Sequence, residues 1–252
     1  MYIKTLSSRL QQLSAYLLPA QCLLCRLPSQ GSLLCMYCQK SLLKQRPHCL
    51  HCALPLIHDE AYCSQCMHNV DAFTQIYALD DYIKPYPALI KNFKYKKQLL
   101  NGQLLAQLLS LSIQQNIPAD QISQVDYLIP VPLHCKRLRQ RGFNQAQLLA
   151  DVLAKNLSIP ILNQAVQRIK NTCAQEGLNK QKRKKNLKGA FTLQKEQQAS
   201  LKDAYVVIID DVVSSGATVN SLCTILLQGG ARRVDIWAIC RTSRQPKQII
   251  SP

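Results

Sequence analysis

The chain has 252 residues and a formal net charge of +17 at neutral pH. Its length accommodates one large domain, or a small module beside a domain of ordinary size. The charge favours polyanionic partners, because it attracts phosphates and releases their counterions, but it does not distinguish DNA, RNA and small phosphorylated molecules. We expect no membrane insertion, since no segment approaches the roughly 20 apolar residues that a spanning helix requires.

Residues 1–19 are predicted to form an N-terminal helix and not a targeting signal. The apolar stretch at residues 13–18 is short and interrupted, and no small-residue cleavage site follows it. We therefore expect a cytoplasmic protein. In that compartment structural disulfides are disfavoured, and paired cysteines more often bind a metal ion.

Eight of the twelve cysteines lie between Cys22 and Cys66, in four Cys-x-x-Cys knuckles separated by nine, ten and ten residues. Two residues between the cysteines let both sulfurs reach one zinc ion at about 2.3 Å, and a second knuckle completes a tetrahedron. We therefore predict a double zinc-ribbon domain over residues 20–70 that binds two Zn²⁺ ions. The simplest pairing gives one set of ligands as Cys22, Cys25, Cys35 and Cys38 and the other as Cys49, Cys52, Cys63 and Cys66.

The spacing leaves other interpretations of the knuckles open, namely interleaved pairing and a disulfide framework. A site closed by four thiolates has no open position for water, so the zinc ions are predicted to be structural. The histidines of this region are interpreted as surface residues, because eight thiols already suffice: His48, His51, His58 and His68. The remaining cysteines are interpreted as packing residues or unreactive thiols: Cys135, Cys173, Cys223 and Cys240.

Residues 71–245 are predicted to form a second domain of α/β type with a mainly parallel sheet, because strands alternate with helices. The predicted strands cover residues 73–82, 127–132, 205–209 and 234–240. The predicted helices cover residues 88–97, 99–113, 144–156 and 218–227, with Asn144 as an N-cap. Residues 134–142 are predicted to be a basic, flexible loop, and residues 167–188 a basic excursion over the surface.

The most informative segment is VVIIDDVVSSGAT, residues 206–218. Its apolar run delivers Asp210 and Asp211 to the C-terminal end of a buried strand, where α/β sheets place their ligand sites. The turn that follows offers backbone N–H groups, hydroxyls and a helix N-terminus to an anion. Its residues are Val213, Ser214, Ser215, Gly216, Ala217 and Thr218.

This arrangement is typical of a site for a ribose phosphate. The turn would hold the 5-phosphate, the two carboxylates would accept hydrogen bonds from the 2- and 3-hydroxyls, and Mg²⁺ could offset the negative charge. The alternative is a core strand that ends in a solvated Asp-Asp turn.

These thirteen residues resemble the phosphoribosyl pyrophosphate signature of the type I phosphoribosyltransferases. The chain as a whole is similar to the ComF/GntX family of competence-associated proteins. Besides the knuckles, the similarity is carried by residues 129–134 (IPVPLH), residues 141–145 (RGFNQ), the spaced Thr172, Gln175, Leu178, Arg183 and Asn186, and Ala190-Phe191.

The resemblance implies a zinc-ribbon module followed by a type I phosphoribosyltransferase-like, Rossmann-like domain that binds phosphoribosyl pyrophosphate with Mg²⁺. It also implies participation in DNA uptake during natural transformation, by handling incoming single-stranded DNA in the cytosol. Other proteins of DNA uptake or recombination are then candidate partners.

Two basic segments are candidates for anion contacts. A pyrophosphate leaving group needs Mg²⁺ and cationic donors, and residues 134–142 supply candidates, of which Arg141 is the best and His134 and Arg137 are further ones. The second, denser cluster is a candidate for single-stranded DNA binding, with Phe191 as one possible stacking platform. It contains Lys180, Lys182, Arg183, Lys184, Lys185 and Lys188. For both segments the alternative is a solvated basic surface.

Two functional hypotheses follow. The first is a nucleic-acid-handling protein of transformation whose fold retains a phosphoribosyl pyrophosphate site. The second is an active phosphoribosyltransferase in nucleobase or nucleotide salvage, with Asp210, Asp211 and Arg141 as catalytic residues. No segment identifies a base-recognising pocket, which favours the first, and a zinc-ribbon adaptor with a degenerate enzyme domain is a third possibility.

Overall fold

The computed structural model of the chain describes residues 21–29, 31–44, 46–56, 60–68, 71–170 and 189–242. The predicted helix over residues 1–19 and the basic cluster over residues 180–188 lie outside the described residues. The chain divides into two compact units, Met1–Lys44 and Gln45–Pro252. Within the described residues, no helix combines the length and the apolar character needed to cross a membrane.

The first unit contains the first two knuckles and a short helix, α1 (Met36–Leu42). The second knuckle runs into this helix, since Cys35 is its extended N-cap residue. Its few buried apolar side chains include Leu34 and Leu42, beside the buried sulfurs of Cys22 and Cys35. An apolar core of this size needs a further cross-link to be stable, and a bound metal ion supplies such a cross-link.

The second unit begins with the other two knuckles and continues into an α/β domain. Its helices are α2 (Ser64–His68), α3 (Tyr86–Lys96), α4 (Leu99–Asn116), α5 (Ala119–Ser123), α6 (Cys135–Arg141), α7 (Gln145–Leu157), α8 (Gln198–Leu201) and α9 (Ala217–Gln228). Its strands are β1 (Ile76–Asp81), β2 (Tyr127–Pro130), β3 (Val166–Arg168), β4 (Phe191–Leu193), β5 (Tyr205–Val213) and β6 (Arg233–Arg241).

The main sheet has four parallel strands in the order β1-β6-β5-β2, which confirms the predicted α/β architecture. The two central strands are buried along almost their whole length, as the apolar run Val206–Ile209 requires for a parallel sheet covered on both faces. Residues of alternate position, such as Val206 and Ile208, pack in one cluster with Val219 and Leu222 of α9. The sheet therefore fixes the start of α9 beside the end of β5.

Besides shifts in element bounds and the short helices α5 and α8, which were not predicted, three features differ from the prediction. The segment predicted as a flexible loop is the helix α6, whose N-cap His134 accepts a hydrogen bond from the Lys136 N–H through Nδ1 (3.3 Å) and which ends at Gly142 with a φ of 88°. Strand β5 runs on through both aspartates to Val213 and does not end at Ile209. Two short strands, β3 and β4, pair antiparallel on either side of residues 171–188 and were not predicted.

The predicted cap of α7 is confirmed. The Asn144 side chain accepts a hydrogen bond from the Ala146 N–H at 3.1 Å, and its own amide donates to the Val131 carbonyl at 3.1 Å. This second bond ties the start of α7 to the segment that follows β2. Gln145, the first residue of the helix, is thereby placed next to the ends of the central strands.

Candidate functional site

The knuckle sulfurs form two separate clusters. In each cluster all four Sγ atoms lie within 4.8 Å of one another. The Cys25 and Cys35 sulfurs are 3.6 Å apart, and so are those of Cys52 and Cys63. A tetrahedron of thiolates with Zn–S bonds of about 2.3 Å has sulfur–sulfur edges of about 3.8 Å, whereas a disulfide requires about 2.05 Å. Both clusters therefore fit zinc and not disulfides.

The sulfurs group by sequential knuckles and not in the interleaved arrangement. The first centre consists of Cys22, Cys25, Cys35 and Cys38, and the second of Cys49, Cys52, Cys63 and Cys66. Burial raises the pKa of the Cys22 and Cys49 thiols, but hydrogen bonds from backbone N–H groups outweigh it, so the pKa falls to about 6 for Cys22 and about 7 for Cys49. Such turns favour the thiolates that zinc binds.

The histidines of this region do not join the sulfur clusters among the described residues. His51 Nδ1 lies 2.8 Å from the Thr74 carbonyl oxygen, and its ring stacks on Phe73 with centroids 4.8 Å apart. His48 Nδ1 lies 2.8 Å from the Arg46 carbonyl oxygen, and His68 is exposed. His58 lies outside the described residues.

The remaining cysteines divide into two kinds. Cys223 and Cys240 are fully buried and burial raises the pKa of both thiols, which confirms their interpretation as packing residues. Cys135 is exposed at the start of α6, so of the two interpretations, packing residue or unreactive thiol, the first is wrong for it and the second stays a prediction. Cys173 lies outside the described residues.

The phosphate loop, which we define as Ser214–Thr218, connects β5 to α9. Its five residues are all half-buried. Gly216 has a φ of 75°, in the left-handed region that favours glycine. The Ser215 hydroxyl accepts a hydrogen bond from the Ala217 N–H at 3.4 Å, and α9 has no acidic residue in its first turn. The loop thus presents hydroxyls and an uncompensated helix N-terminus to an anion.

The two aspartates of β5 are buried, with 8% and 3% of their surface exposed for Asp210 and Asp211. The alternative of a solvated Asp-Asp turn is therefore wrong. Asp211 forms an ion pair with Lys94 of α3 through Oδ2, and its Oδ1 lies 3.5 Å from the Gln145 Nε2 donor. Asp210 accepts a hydrogen bond from the Asp211 N–H at 2.9 Å.

These surroundings shift the pKa values of the two carboxyls in opposite directions. Burial and the neighbouring Asp211 raise the pKa of Asp210 well above its ordinary value. Burial also raises the pKa of Asp211, but the Lys94 ammonium more than offsets this effect, so the pKa of Asp211 is lowered. Asp210 is held toward its protonated form and Asp211 as a carboxylate paired with a cation. The acidic pair therefore does not repel a phosphate group in the way that two free carboxylates would.

Helix α6 carries the predicted cations on two different faces. Arg137 and Arg141 lie four residues apart and are both half-buried, whereas Lys136 and Arg139 are exposed. Arg141 donates through Nη1 to Gln145 Oε1, and its guanidinium lies 5.5 Å from the ring centroid of the exposed Tyr95. Burial and the positive charge of Arg141 lower the pKa of Lys94, but Asp211 raises this pKa by more. Arg141 is therefore linked through Gln145 to Asp211.

Arg168 of β3 is a further cation of this group. Burial and the positive charge of Arg137 lower the pKa of its guanidinium, and the negative charge of Asp210 raises this pKa by less. The same guanidinium lies 5.4 Å from the ring centroid of Phe191. Phe191 is 5% exposed within the core, so its interpretation as a stacking platform for DNA is wrong.

The structure links Asp211 to Lys94 and, through Gln145, to Arg141, while the charges of Arg137 and Asp210 both act on Arg168. It gives His134 a capping role at the start of α6. Sequence analysis missed Lys94, Gln145 and Arg168 as members of this group. Gln145 ends the RGFNQ motif, but Lys94 lies in a lysine-rich helix that gives no sign of a buried partner. The nucleic-acid candidates lie outside the described residues: Lys182, Arg183, Lys184, Lys185 and Lys188.

Comparison with known proteins agrees with both halves of this arrangement. Residues 13–67 match the model of the double zinc ribbon domain, and residues 145–251 match the phosphoribosyl transferase domain. The chain is 34% identical to Competence protein F of Haemophilus influenzae over 212 residues, which are 82% of this chain and 90% of that protein.

Two further relatives are similar in sequence to this chain. The DNA utilization protein YhgH of Escherichia coli K12 is 32% identical over 226 residues, 89% of this chain and 98% of that protein. Competence protein ComFC of Bacillus subtilis is 31% identical over 107 residues, 41% of this chain and 39% of that protein. With two four-cysteine zinc centres, a parallel sheet ending in a phosphate loop and these similarities over most of its length, the chain belongs to the ComF/GntX family.

Proposed function

We propose that this chain is a ComF-like protein of DNA uptake that binds phosphoribosyl pyrophosphate with Mg²⁺ and handles single-stranded DNA in the cytosol. The observation that carries the proposal is the phosphate loop that directly follows the two aspartates of β5, one of which is linked through Gln145 to Arg141. The names of the relatives, competence protein and DNA utilization protein, support the biological role.

The charges around the loop support binding of a phosphorylated sugar. Lys94 neutralises Asp211, and Asp210 is held toward its protonated form, so the guanidinium groups leave the site positive before the ligand arrives. The loop N–H groups and the hydroxyls of Ser214, Ser215 and Thr218 would hold the 5-phosphate. The cations of α6 would face the pyrophosphate.

The sugar diol would be held by the aspartates. Asp211 is already engaged with Lys94 and Gln145, so a ribose hydroxyl has to share or displace one of these contacts. Carboxylate oxygens suit Mg²⁺, whose charge would favour the ionised form of Asp210, and the ion would neutralise charge on the pyrophosphate. Asp210 and Asp211 are the residues of this site that would face such an ion.

Titration calorimetry with phosphoribosyl pyrophosphate and Mg²⁺ tests this part of the proposal. The wild-type protein is expected to bind, and Asp210→Ala and Asp211→Ala are expected to abolish binding. Asp120→Asn, an exposed acid on α5, is a matched control that should bind as the wild type does. No binding by the wild type would refute the proposal, and release of pyrophosphate on adding free nucleobases would instead identify a phosphoribosyltransferase of salvage metabolism.

The role in handling DNA is supported by the net charge of +17 and by the basic cluster at residues 180–188. Binding to single-stranded DNA is expected to weaken steeply with salt, because each phosphate contact releases counterions. Reversal of two charges, Lys184→Glu with Lys185→Glu, should reduce both the affinity and the salt dependence. The double variant Lys195→Glu with Lys202→Glu changes the net charge equally at exposed positions and is the control. Equal losses in the two variants would argue against a specific role for the cluster.

A further inference from the structure

Arg241, the last residue of β6, lies between the second zinc centre and the phosphate loop. Its side chain donates from Nε to the Cys52 carbonyl oxygen at 2.8 Å. Through Nη1 it donates to the carbonyl oxygens of Val213 (3.0 Å) and Ser214. Arg241 is 7% exposed, so these are hydrogen bonds of a buried cation. One side chain therefore contacts both a zinc-ligating residue and the end of β5.

These contacts orient the peptide groups that begin the loop. In a trans peptide the carbonyl and the following N–H point in opposite directions. Since the carbonyls of Val213 and Ser214 point toward Arg241, the N–H groups of Ser214 and Ser215 point away from it. The guanidinium is planar and rigid, and it has enough donors to hold all of these acceptors at once. A lysine ammonium on a flexible stem has no such geometry.

The zinc-centre side of this contact is also anchored to the domain. The Ile76 N–H donates to the His51 carbonyl at 2.8 Å, which ties the third knuckle to β1. His51 is further held by Thr74 and Phe73. The position of the Cys52 carbonyl is thus fixed by β1 on one side and by the sulfur cluster on the other. When zinc is bound, it would hold the four sulfurs, and with them this turn, in one arrangement.

We infer that Arg241 is the positioning residue of the phosphate loop, and that through it the affinity of the loop for its ligand depends on zinc in the Cys49, Cys52, Cys63 and Cys66 centre. The inference rests on the proposed function, since it takes phosphoribosyl pyrophosphate as the ligand of the loop. Coupling between two binding sites is reciprocal. The ligand must therefore stabilise zinc in the second centre as much as that zinc favours the ligand.

The first test is the affinity for phosphoribosyl pyrophosphate and Mg²⁺, measured by calorimetry on the full-length, zinc-loaded protein. Arg241→Lys keeps the positive charge but cannot hold all the carbonyls, so we expect affinity to fall about tenfold or more. Arg232→Lys is the control, because Arg232 is exposed and donates only to the Asp203 carbonyl among the contacts described. It is expected to bind within about twofold of the wild type. Equal affinity for wild type and Arg241→Lys would overturn the inference.

The second test does not require Arg241 variants to fold. The equilibrium distribution of zinc between the protein and a chromogenic chelator is measured with and without saturating phosphoribosyl pyrophosphate and Mg²⁺. Two full-length variants are compared: Cys38→Ser, which keeps the second centre, and Cys66→Ser, which keeps the first. The ligand is expected to raise the zinc affinity about tenfold in Cys38→Ser and to leave it unchanged in Cys66→Ser, which also controls for zinc binding by pyrophosphate itself.

The outcomes separate the inference from the proposed function. If the wild type binds the ligand but the zinc affinity of Cys38→Ser is unaffected by it, the coupling is refuted and the phosphate loop remains a binding site. If the wild type does not bind the ligand, both are refuted. A purely structural role for Arg241 would lower the stability of the protein without making zinc retention in one centre depend on the ligand.

Discussion

Lys94 of α3 forms an ion pair with Asp211 of β5, and both side chains are largely withdrawn from solvent. The pair joins an element near the start of the α/β domain to the strand that carries the phosphate loop. Because Gln145 also links Asp211 to Arg141, this one buried carboxylate is connected to two cations of the site. Removal of either partner leaves the other as an uncompensated buried charge.

We expect Lys94→Met to lower the free energy of unfolding by about 3–5 kcal/mol, since it leaves the buried Asp211 carboxylate without its cation. Lys96→Met is the control, because Lys96 is exposed on the same helix, and its effect should stay within about 0.5 kcal/mol. Urea denaturation at neutral pH measures both. The double variant Lys94→Met with Asp211→Asn should be more stable than Lys94→Met alone, and additive losses would show that the two side chains do not interact.

Asp210 is expected to make stability depend on pH in a defined direction. Its pKa is raised well above 3.8 by burial and by Asp211, so the folded chain keeps this proton at a pH where the unfolded chain has lost it. Stability from this group therefore falls as the pH rises from 3.8 through the raised pKa. Asp211, whose pKa is lowered, acts in the opposite sense and only below 3.8.

Asp210→Asn carries no titrating group at this position, so it should be more stable than the wild type at neutral pH while losing the ligand. Urea denaturation of both proteins between about pH 4 and 8 gives the difference as a function of pH. The advantage of Asp210→Asn should grow with pH across this range. A constant difference would mean that the carboxyl does not titrate there.

Arg141→Gln should weaken binding of phosphoribosyl pyrophosphate about 10- to 100-fold, which corresponds to the loss of a charge-assisted hydrogen bond. Arg139→Gln removes the same charge from an exposed position two residues away and should change affinity by less than about twofold. Calorimetry at one salt concentration measures both affinities. Similar losses in the two variants would indicate that α6 contributes only general positive charge.

The sequence analysis succeeded where local pattern and structure coincide. The Cys-x-x-Cys spacing predicted the ligands of both zinc centres, and the apolar run before Asp210 predicted the central strand and the loop beyond it. It failed where a charged segment had two interpretations. Residues 135–141 are basic enough to suggest a solvated loop, yet they form a helix that begins at the His134 cap and in which Arg137 and Arg141 are half-buried.

Long-range partners were not predictable from the sequence. Arg241 and Cys52 are separated by 189 positions, and the hydrogen bond between them depends on β6 reaching the second zinc centre. In the same way, a lysine in a lysine-rich helix is usually exposed, and only the packing of α3 near the end of β5 makes Lys94 a buried partner of Asp211. Neither contact has a local pattern that distinguishes it from an ordinary surface charge.

Zinc should have a measurable effect on the α/β domain, because the second centre belongs to the same compact unit as the sheet. The chain has one tryptophan, and Trp237 is buried in β6, so its fluorescence reports the unfolding of that unit.

Metal analysis of reduced protein should give two zinc ions in the wild type and one each in Cys38→Ser and Cys66→Ser. Cys66→Ser should also lower the midpoint temperature of thermal unfolding, followed by Trp237 fluorescence, by about 5 °C or more. This shift corresponds to a loss of about 2 kcal/mol of stability in a domain of this size. An unchanged midpoint in a variant that has lost the second zinc would mean that the sulfur cluster does not stabilise the sheet, since the hydrogen bonds of Cys52 and His51 to the domain would then hold without the metal.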